Sequence, residues 1–456
     1  MSEAPPLRVA VVGSGPAGFY AAGQLLASDE PRVEVDLIDR LPTPWGLVRL
    51  GVAPDHPNIK AVSRAFERIA ARPGFRFLGN VEVGRDLTHG ELTELYGAVV
   101  YAIGAQTDRR LGIPGEELPG SWPATSFVAW YNGHPDFQHL EFDLSHERAV
   151  VIGNGNVALD VARMLALTPA ELAPTDTTDA AIGAINAAGV KEIVVVGRRG
   201  PVQAAWTPVE VGELGELAGA DILVDPAELE LDAASAAELE AAPPTVKRNV
   251  EHLREYAART PDGKHRAIRL RFLLSPVAIV GDERVEAIEL VRNELVDGRA
   301  VSTGDRELLE CGIVFRSVGY RGLPLPDVPF DEGRCTVPNE GGRVVDAAGA
   351  AVRGVYCAGW IKRGPSGVIG TNKKDATETI ELLLEDARAG ALASGRPPGV
   401  VDRLLRDRGV AVVTQSGWEA IDAAERAAGE PHGRPRLKLA AWDELLEAAG
   451  FEPVSG

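Results

Sequence analysis

Cysteine is scarce in this chain of 456 residues: Cys311, Cys335 and Cys357 are the three present, and no two are spaced C-x-x-C. Neither a disulfide framework nor a cysteine-ligated metal cluster is expected, and a reducing cytoplasm suits such a chain. The eight histidines include no H-x-x-x-H pair, so a metal centre is not expected either. No apolar run approaches the roughly 20 residues of a membrane-spanning helix. Positive charge is also in deficit, with 47 Lys and Arg against 66 Asp and Glu, a formal net charge of −19. Such a surface repels phosphates, which argues against nucleic acid or a membrane surface as a general partner. Any anionic partner must meet a local basic patch. The opening MSEAPPLRVAVVGSGPAG has no basic stretch followed by an apolar core, so no targeting peptide is expected.

What is plentiful is glycine, 50 residues, in a chain that is 45% hydrophobic and 25% charged. That composition describes a globular protein, and the length predicts two or three domains. Two segments resemble each other, LRVAVVGSGPAGFYAAGQLLAS and, from Glu147, ERAVVIGNGNVALDVARMLAL; each reads strand, glycine turn, helix. In the first, Gly13, Gly15 and Gly18 form G-x-G-x-x-G, with Ala17 inside the turn, after an apolar strand at Val9–Val12. The first glycine permits the tight turn, the second lets backbone approach a pyrophosphate, and the third lets helix pack on strand. The helix N-terminus then presents unpaired N–H groups to the phosphates. A second strand, VEVDLID, ends at Asp39, placed to accept hydrogen bonds from ribose hydroxyls.

The second unit reads Gly153, Asn154, Gly155, Asn156, Val157, Ala158, a G-x-G-x-x-A variant, and Val157, Val161, Met164 and Leu165 recur at helical spacing. Its next strand, EIVVVG, runs into Arg198 and Arg199, where an NAD site offers a carboxylate. Two guanidinium groups there attract a 2′-phosphate, so this site reads as NADP. The first site, with Asp39, suits the unphosphorylated ribose of FAD. Short strands closing at Gly104 and Gly319 carry the chain between domains. Near the end, Gly367, Val368 and Ile369 precede a long helix, where backbone N–H groups can contact a flavin ring. The expected fold is α/β with two Rossmann-like dinucleotide-binding domains: an FAD domain in two parts, 1–107 and 321–456, and an NADP domain, 108–320, inserted in it.

A flavin needs neither nucleophile nor metal from the protein, which must hold it against nicotinamide and exclude water. His56, between prolines in APDHPNIK, either caps the following helix or orients nicotinamide or flavin and moves a proton. Glu210 and Glu213, three apart in WTPVEVGELGEL, share a face if helical; they are either solvated acids or contacts to ribose or amide. Basic residues gather at Lys247, Arg248 and Arg254 in TVKRNVEHLREYAART, and at Lys264, Arg266, Arg269 and Arg271 in KHRAIRLRF.

Together PTPWGLVRLGVAPDHPNIK, VVIGNGNVALDVAR, VVVGRRGPVQAA, GWIKRGPSGVIGTNKKDA and AAGEPHGRPRLKL give a chain that resembles, over almost its whole length, the adrenodoxin-reductase-type ferredoxin-NADP reductases, most closely their mycobacterial NADPH-ferredoxin reductases. The resemblance implies an electron-transport flavoprotein in which FAD takes a hydride from NADPH and passes electrons singly to an iron-sulfur protein. It implies an FAD site of Gly13, Ala17, Asp39, Leu47, Val83, Trp360 and Gly367–Ile369, and an NADP site of Asn154, Gly155, Asn156, Val157, Arg198, Arg199 and Glu210, with Gly367 shared. His56 and Glu213 match polar residues beside nicotinamide and flavin, Asp160 matches a residue linked to a proton path, and a ferredoxin is expected to dock on the NADP domain near Lys247, Arg248 and Arg254.

Asp39 departs from the glutamate of many members, and Trp360 after Gly359 argues against disulfide reductases. The phenylalanine-glycine and histidine motif of flavin monooxygenases and the cysteine-rich domain of the glutamate synthase small subunit are not found. The remaining alternative is an NADP-binding flavoprotein that senses redox state without reductase turnover. The closing segment reads as two helices around a Gly-Pro loop, with no assignable chemistry. Replacing Arg198 and Arg199 together by neutral residues is expected to weaken NADPH binding far more than NADH binding; nucleotide titrations showing equal losses remove the 2′-phosphate argument.

Overall fold

The structure, a computed structural model, describes residues 5–367 and 369–452. The apolar run LRVAVV forms the strand Leu7–Val12, paired with parallel neighbours Val33–Ile38 and Ala98–Tyr101 on its two edges and buried at every position because an apolar cluster covers each face of the sheet. Strands covered on both faces read as continuous apolar runs rather than alternating ones. Among the described residues this sheet has seven strands in the order Asn339–Glu340, Arg343–Val345, Ala351–Cys357, Ala98–Tyr101, Leu7–Val12, Val33–Ile38, Phe75–Leu78. Its chain-terminal part joins by Ala351–Cys357, which pairs parallel with Ala98–Tyr101. On one face pack the helices Pro16–Leu25 and Ile369–Arg388 with Phe66, Trp418 and Ile421; on the other, Leu92, Leu95, Val401 and Leu405.

A second sheet of six parallel strands runs Ser121–Pro123, Ile313–Arg316, Arg148–Ile152, Glu192–Val196, Arg266–Arg271, Ala220–Val224. The helices Ala124–Tyr131, Asn156–Ala166 and Pro244–Ala258 cover one face. The other is covered by an antiparallel sheet, Leu274–Val280, Ala287–Val296 and Arg299–Glu310. The fold is therefore α/β with two Rossmann-like units, the second lying in sequence between the two portions of the first. Where the chain passes between them, Thr107–Asp108 and Tyr320–Arg321 pair antiparallel. Among the described residues no helix is long and apolar enough to cross a membrane.

The segment left without a role in sequence binds the two units together. Lys438, its side chain 0% exposed, lies 3.2 Å from Asp176 of the second unit, and donates to the Asn132 side-chain oxygen and to the carbonyl of Arg49. Lys60 reaches the same Asp176 at 2.6 Å. Arg434 donates to the carbonyls of Thr175 and Thr177 and pairs with Asp179. Behind this knot, Glu425 accepts from Arg49 and Arg436. Burial pushes the Lys60 and Lys438 ammonium groups down in pKa. Burial also works to raise Asp176, but Lys438 and Lys60 outweigh it and hold that carboxyl well below its usual range.

Breaking a buried ion group by deleting one partner strands the others without compensation. Asp176→Asn leaves two buried ammonium groups facing each other and is expected to cost about 3–5 kcal/mol. Lys438→Met should cost less, because Lys60 still compensates Asp176. Urea unfolding of the two variants checks the order.

Candidate active site

The first glycine turn shows which glycines the backbone demands. Gly13 has φ +105° and a Cβ there would collide with the Ala102 carbonyl; a Cβ on Gly18 would overlap the carbonyl of Gly13. Gly15, the N-cap of Pro16–Leu25, has nothing within 4 Å of a built Cβ. Packing thus requires the first and third glycines, and the second opens onto free space at a helix N-terminus whose N–H groups seek an acceptor. Asp39 follows the strand Val33–Ile38, and its short side chain reaches back into this turn: one oxygen accepts from the Ser14 N–H and hydroxyl at 2.8 and 2.6 Å, the other from Leu41 N–H at 2.9 Å. Gly359, φ +77°, lies so close that a Cβ would come within 2.6 Å of the Ala17 Cβ, bringing the late turn against the early one. Trp360 there donates its indole N–H to the Ser366 carbonyl. Gly367 has φ +81° and faces the Thr371 side chain, and Ile369 begins the helix that runs to Arg388; Val368 is outside the described residues. Leu47 opens a short helix, 38% exposed. Val83 shares an apolar cluster with Val12 and Ile38.

The second turn repeats the geometry. Gly153, φ +134°, would clash with the Ser317 carbonyl, whereas Gly155 again has nothing within 4 Å; Ala158 fits, fully buried. The buried side-chain N–H group of Asn154 has no hydrogen-bond partner among the described residues. Asn156 accepts from Thr207 N–H at 2.9 Å, and Val157 is half-buried against the apolar core of this unit. Arg198 and Arg199 follow the strand Glu192–Val196. Their backbone is fixed, Asn293 donating to the Arg198 carbonyl and Leu273 N–H to that of Arg199. Neither guanidinium makes a hydrogen bond or ion pair among the described residues.

Between the units lies a charged cluster. His56 occupies the N-cap position of Pro57–Lys60, but its side chain makes no cap bond. Instead its Nε2, in a side chain 5% exposed, lies 3.1 Å from Glu213, 3.7 Å from Glu210 and 3.9 Å from Asp55. Thr207 caps the helix Pro208–Glu213, so the two glutamates share one turn. Arg163 donates one nitrogen to Asp55 and another to Glu213, each at 2.5 Å. His56, Glu210 and Glu213 bring ligand atoms within 4.8 Å of one another, and the Arg163 guanidinium supplies the positive charge beside them. Asp160, on the same helix face as Arg163, has a buried oxygen without a hydrogen-bond partner among the described residues. Burial, then Glu210 and Asp55, push its carboxyl well above the usual range. Burial also raises Glu210, against the opposing pull of His56. Asp55 and Arg163 were not anticipated from sequence, although Arg163 follows Asp160 by one helical turn, the spacing that puts two side chains on one face.

The basic stretches fare differently. Lys247 and Arg254 are exposed on the helix Pro244–Ala258, while Arg248 is paired with Glu251 and Glu255. KHRAIRLRF is a strand whose cations are consumed internally: Lys264 and Arg266 donate to backbone carbonyls, Arg269 pairs with Glu192, and Arg271 with Glu228 and Glu307. It presents no free basic face.

The sequence pattern of the pyridine nucleotide-disulphide oxidoreductases matches residues 7–182. NADPH-ferredoxin reductase FprA of Mycobacterium tuberculosis (strain ATCC 25618 / H37Rv) is 51% identical over 456 residues, covering 97% of this chain and 98% of that protein. Human mitochondrial NADPH:adrenodoxin oxidoreductase is 45% identical over 461 residues, covering 97% and 92%. The solved structure of M. tuberculosis FprA in complex with NADPH matches with a TM-score of 0.92 at 50% identity, over 97% of this chain and 99% of that one.

Because the Asp160 carboxyl is raised in the folded protein, folding is opposed once pH exceeds the unfolded value near 3.9, where only the unfolded chain ionises freely. Asp160→Asn removes that penalty. Its stability relative to the unsubstituted protein should rise with pH from about 4 upward, by at most about 1.4 kcal/mol per pH unit; urea unfolding at several pH values checks this, and a pH-independent difference contradicts it.

Proposed function

The chain belongs to the adrenodoxin-reductase-type NADPH-ferredoxin reductases, and from that premise we propose how its two glycine turns and the cluster between them divide the work. It is an FAD-dependent oxidoreductase: bound FAD accepts a hydride from NADPH and passes electrons singly to a ferredoxin-type iron-sulfur protein. The residues present fit both nucleotides. Gly15 and Gly155 open onto free space at helix N-termini, as a pyrophosphate requires, and the orphaned Asn154 amide awaits an acceptor.

In this reading FAD is held by the portions 1–107 and 321–456, through Gly13, Gly15, Ala17, Gly18, Asp39, Leu47, Val83, Trp360, Gly367, Val368 and Ile369. NADP is held by the portion 108–320, through Asn154, Gly155, Asn156, Val157 and Glu210, with Arg198 and Arg199 on the 2′-phosphate. The observation that carries the assignment is the pair of unengaged guanidinium groups on a fixed backbone. His56 orients the reacting rings with Glu213 as its partner, and Asp160, its carboxyl raised by burial and by its acidic neighbours, serves the proton path. Lys247 and Arg254, still exposed on their helix, with Arg248 partly neutralised, form the face for an acidic ferredoxin. The buried free cysteines suit a reducing cytoplasm.

Anaerobic mixing of the purified protein with NADPH, and separately NADH, tests the reading through the visible absorption. Rapid bleaching of a flavin band is expected at far lower NADPH than NADH concentration. A yellow protein that NADPH leaves unbleached makes a redox sensor of it instead, and a colourless one that takes up no added FAD overturns the flavin site.

A further inference from the structure

The cleft gathers three carboxyl groups, Asp55, Glu210 and Glu213, around one imidazole, His56, and a fourth, Asp160, feels the charge of all three. Burial raises the hydroxyls of Tyr131 and Tyr320, and the Asp160 charge raises both further. A buried group of acids this dense must either lose charge by taking up protons or hold a cation. Asp160 and Glu210 are pushed toward the protonated form. Asp55 and Glu213 instead share the guanidinium of Arg163.

Two details set Arg163 apart from an ordinary ion pair. Its carboxylates come from different units: Asp55 precedes His56 in the first, and Glu213 ends the helix Pro208–Glu213 of the second. The bridge therefore spans the cleft, and does so in a side chain 7% exposed. Secondly, the Glu213 oxygen that Arg163 holds is the same atom that stands 3.1 Å from His56 Nε2. With Arg163 in place, that oxygen faces the imidazole with its charge already compensated. Without it, an uncompensated carboxylate would draw a proton onto His56.

We propose that Arg163 is a positioning residue for hydride transfer: it clasps Asp55 to Glu213 across the cleft and so fixes both the orientation and the charge of His56 toward the nicotinamide. A planar guanidinium can serve two carboxylates at once, whereas an ammonium group at that position supplies charge without the fixed fork. The proposal rests on the reductase reading above, which the unsubstituted protein tests alone through its bleaching by NADPH.

The experiment compares the FAD-loaded protein with Arg163→Met and Arg163→Lys by three readouts: the pH profile of the bleaching rate, NADP+ affinity by calorimetry across the same pH range, and the His56 titration followed by NMR of ¹³C-labelled histidine. For Arg163→Met the His56 midpoint, and the limb of the rate profile that follows it, should move up by about one pH unit or more. Arg163→Lys should restore the midpoint while leaving the rate roughly tenfold or more below that of the unsubstituted protein, because the reacting groups lose their fixed geometry. A uniform loss of rate with unmoved His56 titration in Arg163→Met, or an unimpaired rate in Arg163→Lys, overturns the proposal. If Arg163→Met fails to fold, the Lys variant decides alone, since a full rate denies the two-armed clasp. The NMR and calorimetric readouts hold whether or not NADPH bleaches the protein, so failure of the proposal is distinguishable from failure of the reductase reading.

Discussion

Two sheets that share no strand can be held at a fixed angle only by what crosses between them, and here much of that is paired charge. Asp176 of one unit receives Lys60 and Lys438 of the other, and Arg434 grips the backbone around it. Apolar contact alone is non-directional and lets two surfaces slide. Buried ions do not, because any displacement leaves a charge without its partner at a cost of several kcal/mol. The relative placement of the two glycine turns, and so the distance over which two nucleotides can meet, inherits its definition from these few contacts.

The cleft itself shows how low exposure and crowding of like charge create chemistry from ordinary acids. Asp160 and Glu210 are raised by burial and by their neighbours, while Asp55 and Glu213 are compensated by Arg163. Environments that separate the titration of neighbouring groups are the usual mark of a functional site. The glycine turns work by geometry instead: Gly13, Gly18 and Gly153 are glycine because a side chain would strike backbone, whereas Gly15 and Gly155 face open space.

Local features of the site were legible in the residues alone. The two glycine turns, Asp39 after one strand, Arg198 and Arg199 after another, and the shared face of Glu210 and Glu213 all follow from short spacings, since strand and helix periods fix where neighbours in sequence point. That logic does not reach the partners of the basic residues in KHRAIRLRF. Its arginines find their partners in other strands and loops, such as Glu192, Glu228 and Glu307, and spacing within the segment says nothing of those.

What the sequence by itself determined is thus each half of the fold: two dinucleotide-type units, their order in the chain, and the glycine turn that opens at a helix N-terminus in each. Tertiary structure alone decided how the halves meet. Asp55 and Arg163 are 108 positions apart, Lys60 and Asp176 116, and Lys438 and Asn132 306. At such separations no periodicity links the partners; they come together only because the sheets, once folded, bury those positions against each other, and a buried charge is stable only where its counter-charge has arrived.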